Sequence, residues 1–182
     1  MTPVETDEQL LAEFLAGRQA ALGTLAQRYE RPLLGLACGL LNGRRDLAAD
    51  IVQESWLRVI RFGRKFKRRS SFKTWLYRIA VNQCRNLLKA RALPEGLTGA
   101  ETVSPANGPE GATAADDENH ALRRTVARLD ADKRAVILLC YHASLTHAEA
   151  AEILELPLGT LKSRLHAALE ELRAALPAEG TP

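Results

Sequence analysis

Between Ser55 and Pro94 the chain carries Arg58, Arg61, Arg64, Lys65, Lys67, Arg68, Arg69, Lys73, Arg78, Arg85, Lys89 and Arg91, and no Asp or Glu. Five of these cations crowd around Phe66, and Phe62, Phe72, Trp75 and Tyr77 are threaded through the same block. Cations neutralise phosphates and release counterions. Aromatic rings stack on unpaired bases, at roughly 1–3 kcal/mol per base. An amide such as that of Asn82 reads a base edge once the base has left its stack. The combination fits single-stranded or melting nucleic acid. Phe72 and Trp75 can equally be core residues, but a block that only meets solvent normally mixes both signs.

A second site lies in "LTHAEAAEILELPLGTLKSRLHAALEEL", residues 145–172. Thr146 with Glu149 has the spacing of a capping box. Ala150, Ile153 and Leu154 face inward on the helix that follows. Leu156-Pro157 ends that helix, and a further one carries Leu158, Leu161, Leu165 and Leu169 inward. Two helices joined by so short a turn predict a helix-turn-helix, which meets duplex DNA. The second helix offers Thr160, Lys162, Ser163, Arg164 and His166, types that touch phosphates and base edges. A plain helical hairpin is the alternative.

A third face has another character. Asp50, Gln53, Glu54 and Leu57 recur at i, i+3, i+4 and i+7, opposite a core side of Leu47, Ala48, Ile51, Val52, Ser55, Trp56, Val59 and Ile60. An exposed leucine among carboxylates and an amide suits a docking surface for another protein. Asp46, Asp50 and Glu54 also share a face, as the acids of a two-metal nuclease do, but nothing else supports an enzyme. Cys140, His142 and His147 could be imagined as metal ligands, although a buried cysteine and two unrelated histidines explain them as well. No cofactor is expected.

These sites need rigid elements, and the composition supplies helices. The 182 residues are rich in Ala and Leu, with few aromatics. Leu10 to Leu15 mark a short amphipathic helix. Leu22 to Leu41 continue at three- and four-residue spacing, with Pro32 bending the helix or lying near its start. Asp46 is placed to cap a helix running to about Phe62. Ser70 or Ser71 caps the next, whose buried stripe is Phe72, Trp75, Leu76, Ile79, Ala80, Gln83 and Leu87. Its outward stripe is Thr74, Arg78, Asn82, Arg85 and Lys89.

Charge divides the chain. Residues 31–92 hold fifteen basic and three acidic side chains, residues 93–122 hold six acids and no cation, and residues 123–182 balance at eight each. The middle part gathers Pro, Gly and Thr without period and predicts a flexible linker. The expectation is an all-α chain of two small helical domains, 1–92 and 120–182, joined by an acidic linker over 93–119. The three cysteines are far apart and odd in number, which argues against a disulfide framework. No apolar run reaches a membrane span and the N-terminus lacks the order of a signal peptide, so a cytoplasmic place is expected.

Three segments in this order, "DLAADIVQESWLRVIR" (46–61), "SFKTWLYRIAVNQCRN" (71–86) and "LPLGTLKSRLHAALEEL" (156–172), resemble the extracytoplasmic-function group of bacterial sigma factors. The resemblance covers about Leu22 to Leu176. It implies two helical domains, regions two and four, and no enzymatic activity. It implies core RNA polymerase, promoter DNA and an anti-sigma factor as partners. It gives Asp50, Gln53, Glu54 and Leu57 to the polymerase clamp. Arg64, Lys65, Phe66, Lys67, Arg68 and Arg69, with Arg78, Asn82 and Arg85, go to the melted −10 strand, and Thr160, Lys162, Ser163, Arg164 and His166 to the −35 duplex. The linker would thread toward the RNA exit channel. The chain departs from the group in having Glu155 where Gly is common, and Ala167, Ala168, Glu170 and Glu171 where basic residues often follow. A helix-turn-helix regulator that never touches polymerase is the competing reading.

Overall fold

The computed structural model describes residues 5–92 and 122–175. The linker expected over 93–119 lies outside the described residues. Among these residues the regular structure is helical and there is no strand. The helices are α1 (Asp7–Leu15), α2 (Gln19–Leu40), α3 (Arg45–Phe62), α4 (Phe72–Ala92), α5 (122–128), α6 (Ala131–Ile137), α7 (His147–Leu154) and α8 (Leu158–Ala175). The first four form one bundle and the last four a second.

Local chemistry sets the boundaries. Thr6 and Gln9 form a capping box at the start of α1. Helix α2 runs unbroken through Pro32, which lies deep inside it rather than near its start. Helix α3 begins after Arg44, so Asp46 sits in its first turn instead of capping it, where its charge still favours the helix dipole. Between α3 and α4 a 3-10 turn (Gly63–Lys65) leads into a loop with Arg68 in the left-handed region. Of the two candidate serines, Ser71 makes the cap: its hydroxyl accepts from the Thr74 amide at 3.1 Å. The Glu8 carboxylate of α1 accepts from the Phe72 amide at 2.8 Å, tying the loop to the first helix.

The first bundle packs Leu10, Leu25, Leu33, Leu36, Val59, Phe72 and Leu76, all fully buried. A buried polar pair crosses it: Gln83 donates to the Ser55 hydroxyl at 3.0 Å, and Ser55 donates to the Ile51 carbonyl at 2.7 Å. The second bundle packs Leu139, Ile153, Leu161 and Ala168. Its helix α6 widens into a π-helix over Leu138–His142. That turn lies against α2, where an added Cβ on Gly35 would come within 2.5 Å of the His142 ring and one on Gly39 within 2.8 Å of Leu138. The apolar cluster is therefore continuous through both bundles.

Candidate nucleic-acid and polymerase interfaces

The basic block splits into two parts. Arg64, Lys65, Lys67, Arg68 and Arg69 are exposed in the loop ahead of α4. The Arg68 guanidinium reaches the Glu8 carbonyl at 3.4 Å, and Lys65 lies 5.3 Å from the exposed Phe62 ring, a cation–π distance. Phe66 is not free to stack on a base as expected. Its ring packs 5.0 Å from Trp75 and 6.4 Å from Phe72, in an aromatic cluster that also holds Tyr29. The ring anchors the loop, and the cations around it remain in solvent. Burial pushes the Tyr77 phenol up to about 12, and burial with the Asp7 contact raises Tyr29 further, so both stay neutral.

The second part is the stripe on α4, and here the structure corrects the sequence. Thr74 is buried rather than outward, and Lys89 alone of the five residues is exposed. Arg78, Asn82 and Arg85 are half-buried because the stripe faces the second bundle, not solvent. Arg78 meets the Glu152 carboxylate of α7. Arg85 donates to the Leu154 carbonyl at 3.4 Å, at the negative end of α7, and lies 3.8 Å from Asp132. Lys73 donates to the Ser144 carbonyl at 3.4 Å. A periodicity argument finds the two faces of α4 but cannot say what covers the polar one.

The helix-turn-helix forms as the sequence predicts. The Thr146–Glu149 capping box opens α7, with bonds of 2.9 Å from the Thr146 amide and 2.7 Å from its hydroxyl to Glu149. The turn at 155–157 closes with a 2.9 Å bond from the Leu156 amide to the Ala151 carbonyl and Glu155 left-handed at φ 57°. That is a Schellman arrangement with a side chain at the position glycine favours. Leu161 and Leu165 point inward on α8, whereas Leu158, expected inside, is exposed at its first turn. Lys162, Ser163 and His166 are exposed and Thr160 is half-buried. Arg164 turns toward α6 and pairs with Asp132 at 2.7 Å. Sequence reasoning missed Asp132 and Glu152 as partners of these cations.

On α3, Asp50, Gln53 and Leu57 are exposed and Glu54 is half-buried, held by Arg58 at 3.1 Å. Ile60, expected in the core, is exposed and extends this face. Gln53, Trp56, Leu57 and Ile60 line a shallow groove between α2 and α3 with Glu30 and Leu34. Among the described residues no group of three His, Cys, Asp or Glu side chains is placed to hold a metal ion.

Comparison with known families explains this pairing of a basic bundle with a helix-turn-helix. Residues 25–93 match Sigma-70 region 2, and residues 119–172 match Sigma-70, region 4. The chain is 30% identical over 176 residues to the ECF RNA polymerase sigma-E factor of Haemophilus influenzae, covering 91% of this chain and 92% of the relative. It therefore belongs to the extracytoplasmic-function group of RNA polymerase sigma factors. CnrH, solved in complex with the cytosolic domain of CnrY, has a similar fold: TM-score 0.73 at 26% identity, covering 97% of this chain and 100% of that one. The sigma factor RpoE of Bartonella quintana, solved with the anti-sigma factor NepR, shares the fold with TM-score 0.71 at 23% identity over 87% of this chain and 98% of its own. Members of this family are initiation factors rather than enzymes.

Proposed function

We propose that the chain binds core RNA polymerase, directs it to promoters carrying matched −35 and −10 elements, and helps to melt them. One observation carries the reading: an acid-free cationic loop and helix in one bundle, and a helix-turn-helix in the other, within one chain of the sigma family. Lys162, Ser163, His166, Thr160 and Arg164 on α8 read the duplex −35 element. The loop Arg64, Lys65, Lys67, Arg68 and Arg69, with Arg78, Asn82 and Arg85 on α4, grips the opened −10 strand, and Phe66 contributes by holding the loop in place. Asp50, Gln53, Glu54 and Leu57 dock on the polymerase.

The same reading sets the domains at 1–92 and 120–182, makes the chain a non-enzymatic factor, and places it in the cytoplasm. Among the described residues no helix is long and apolar enough to cross a membrane. An anti-sigma factor is the expected regulator, in line with the complex in which the Bartonella relative was solved. Run-off transcription with purified core polymerase on a genomic library tests function and finds the promoter together. Specific transcripts that need the added chain are expected. DNA binding without any transcript would favour a regulator that does not engage polymerase.

A further inference from the structure

We infer that Glu8 of α1 is a positioning residue for the −10 surface: its carboxylate fixes the start of α4, and with it the cationic loop at 63–71, in the shape that grips an opened strand. The inference deepens the proposed −10 role of that loop and rests on it. The first N–H groups of a helix have no partner within it, and a carboxylate at that end meets the positive end of the helix dipole. Helix α4 has no acid in its first turn, and the chain has none between Ser55 and Pro94. An acid there would repel the strand that the exposed cations attract. Ser71 takes the Thr74 amide, and the Phe72 amide is taken at 2.8 Å by Glu8, 64 residues away in the chain. The half-buried Glu8 thus supplies α4 with the negative charge that the loop itself excludes.

The contacts around Glu8 make α1 a firm base for this task. Asp7, one residue earlier, pairs with Arg28 at 2.7 Å and accepts from the Tyr29 hydroxyl, both on α2. The Tyr29 ring lies 5.9 Å from that of Phe72, so two successive acids of α1 converge on the residue that opens α4. At the other end of the loop, Gly63 lies against α1. A Cβ added there would come within 3.2 Å of Leu15 and 3.4 Å of Leu11. Between these ends, Arg68 is left-handed at φ 52° and donates to the Glu8 carbonyl at 3.4 Å. The loop therefore rests on one nine-residue helix at both ends and in its middle, while Arg64, Lys65, Lys67 and Arg69 stay exposed.

Two variants of the full chain separate positioning from charge. Glu8→Ala removes the charge and the acceptor, whereas Glu8→Gln removes the charge but keeps an oxygen for the Phe72 amide. By charge alone, losing a carboxylate beside a DNA surface strengthens the hold on DNA in both variants. Positioning gives the opposite sign in the alanine variant and little change in the glutamine one. The readouts are trypsin cleavage within residues 64–69, and run-off transcription with core polymerase on a promoter recovered from the genomic library, closed and with its −10 region pre-melted. Glu8→Ala is expected to be cut roughly three- to tenfold faster and to lose transcript by a similar factor on both templates, since activity scales with the fraction of chains in the competent shape. Glu8→Gln should stay near the unaltered chain in both readouts, and both variants should retain core polymerase in co-purification. Unchanged cleavage in Glu8→Ala overturns the inference, as do undiminished transcription or equal losses in the two variants. Loss of a cooperative thermal melt in Glu8→Ala also overturns it, because the carboxylate then holds the bundle rather than the loop. No transcript from the unaltered chain would remove the proposed function and this inference with it. Transcription by that chain, matched by Glu8→Ala, would remove the inference alone.

Discussion

Glu54 carries the polymerase assignment most directly. It lies on the outer face of α3, partly exposed and paired only with Arg58 one turn on. Reversing its charge disturbs no buried contact, so Glu54→Lys should change stability by no more than about 0.5 kcal/mol. Its expected effect is weaker retention of core polymerase in co-purification, and unchanged retention would remove Glu54 from the docking surface. The cysteines behave differently. Burial pushes the Cys84 thiol up to about 12 and lifts Cys38 and Cys140 above their ordinary value. Thiolate is the reactive form, so little is present at neutral pH. An aromatic disulfide reagent at pH 7 should label Cys84 slowly in the native chain and rapidly after denaturation. Rapid native labelling would mean that the first bundle opens around α4.

At the scale of elements, the α7–α8 turn holds a side chain in a conformation that glycine adopts freely. Glu155→Gly should relieve the left-handed strain, which costs roughly 1 kcal/mol at a non-glycine residue. A higher thermal midpoint for the second bundle is expected, and a lower one would show that the Glu155 side chain contributes something its geometry hides. At the other end of α7, Thr146→Ala removes the capping box and should cost about 1 kcal/mol. Burial alone would raise the Glu149 carboxyl, but the Thr146 bonds, the Lys73 charge and the Thr74 hydroxyl outweigh it and hold it below the usual range. A carboxylate with a lowered folded pKa stabilises above its unfolded pKa, and that contribution disappears as pH falls through the lowered value. Thr146→Ala should therefore flatten the acid dependence of stability in the helix-turn-helix, measured by thermal melts across the acidic range.

At the scale of the molecule, two DNA surfaces on separate bundles predict separable defects. On the proposed function, Arg164→Ala should remove a groove or phosphate contact worth on the order of 1–3 kcal/mol. Its loss should show on closed duplex carrying the −35 element and persist when the −10 region is already unpaired. On the same proposal, Asn82 and Arg85 would act after the bases leave their stack. Changing both to Ala should hurt promoter opening most, with only partial rescue by a pre-melted −10 template, because the strand contacts are themselves gone. Transcription by both variants on closed, pre-melted and −35-deleted templates gives the pattern. Equal losses on all three would mean that the bundles do not divide the work in this way.

The sequence by itself determined the elements and their chemistry. Periodicity located α3, α4, α7 and α8, the Thr146–Glu149 spacing gave the capping box, and the acid-free block from Ser55 to Pro94 set the charge of the proposed nucleic-acid surface. These are local properties, fixed by 3.6-residue spacing and by charge within one stretch of chain. Tertiary structure alone decided what each face meets. Ile60 and Leu158 read as core but are exposed, since helical spacing marks a stripe and not where its neighbours end. Phe66 reads as a stacking ring but packs against Trp75. The outward stripe of α4 is roofed by α7, with Arg85 and Arg164 meeting on Asp132. That meeting joins residues 47, 32 and 79 positions apart in the chain. Contacts over such distances depend on how two bundles dock, and docking leaves no period in either sequence.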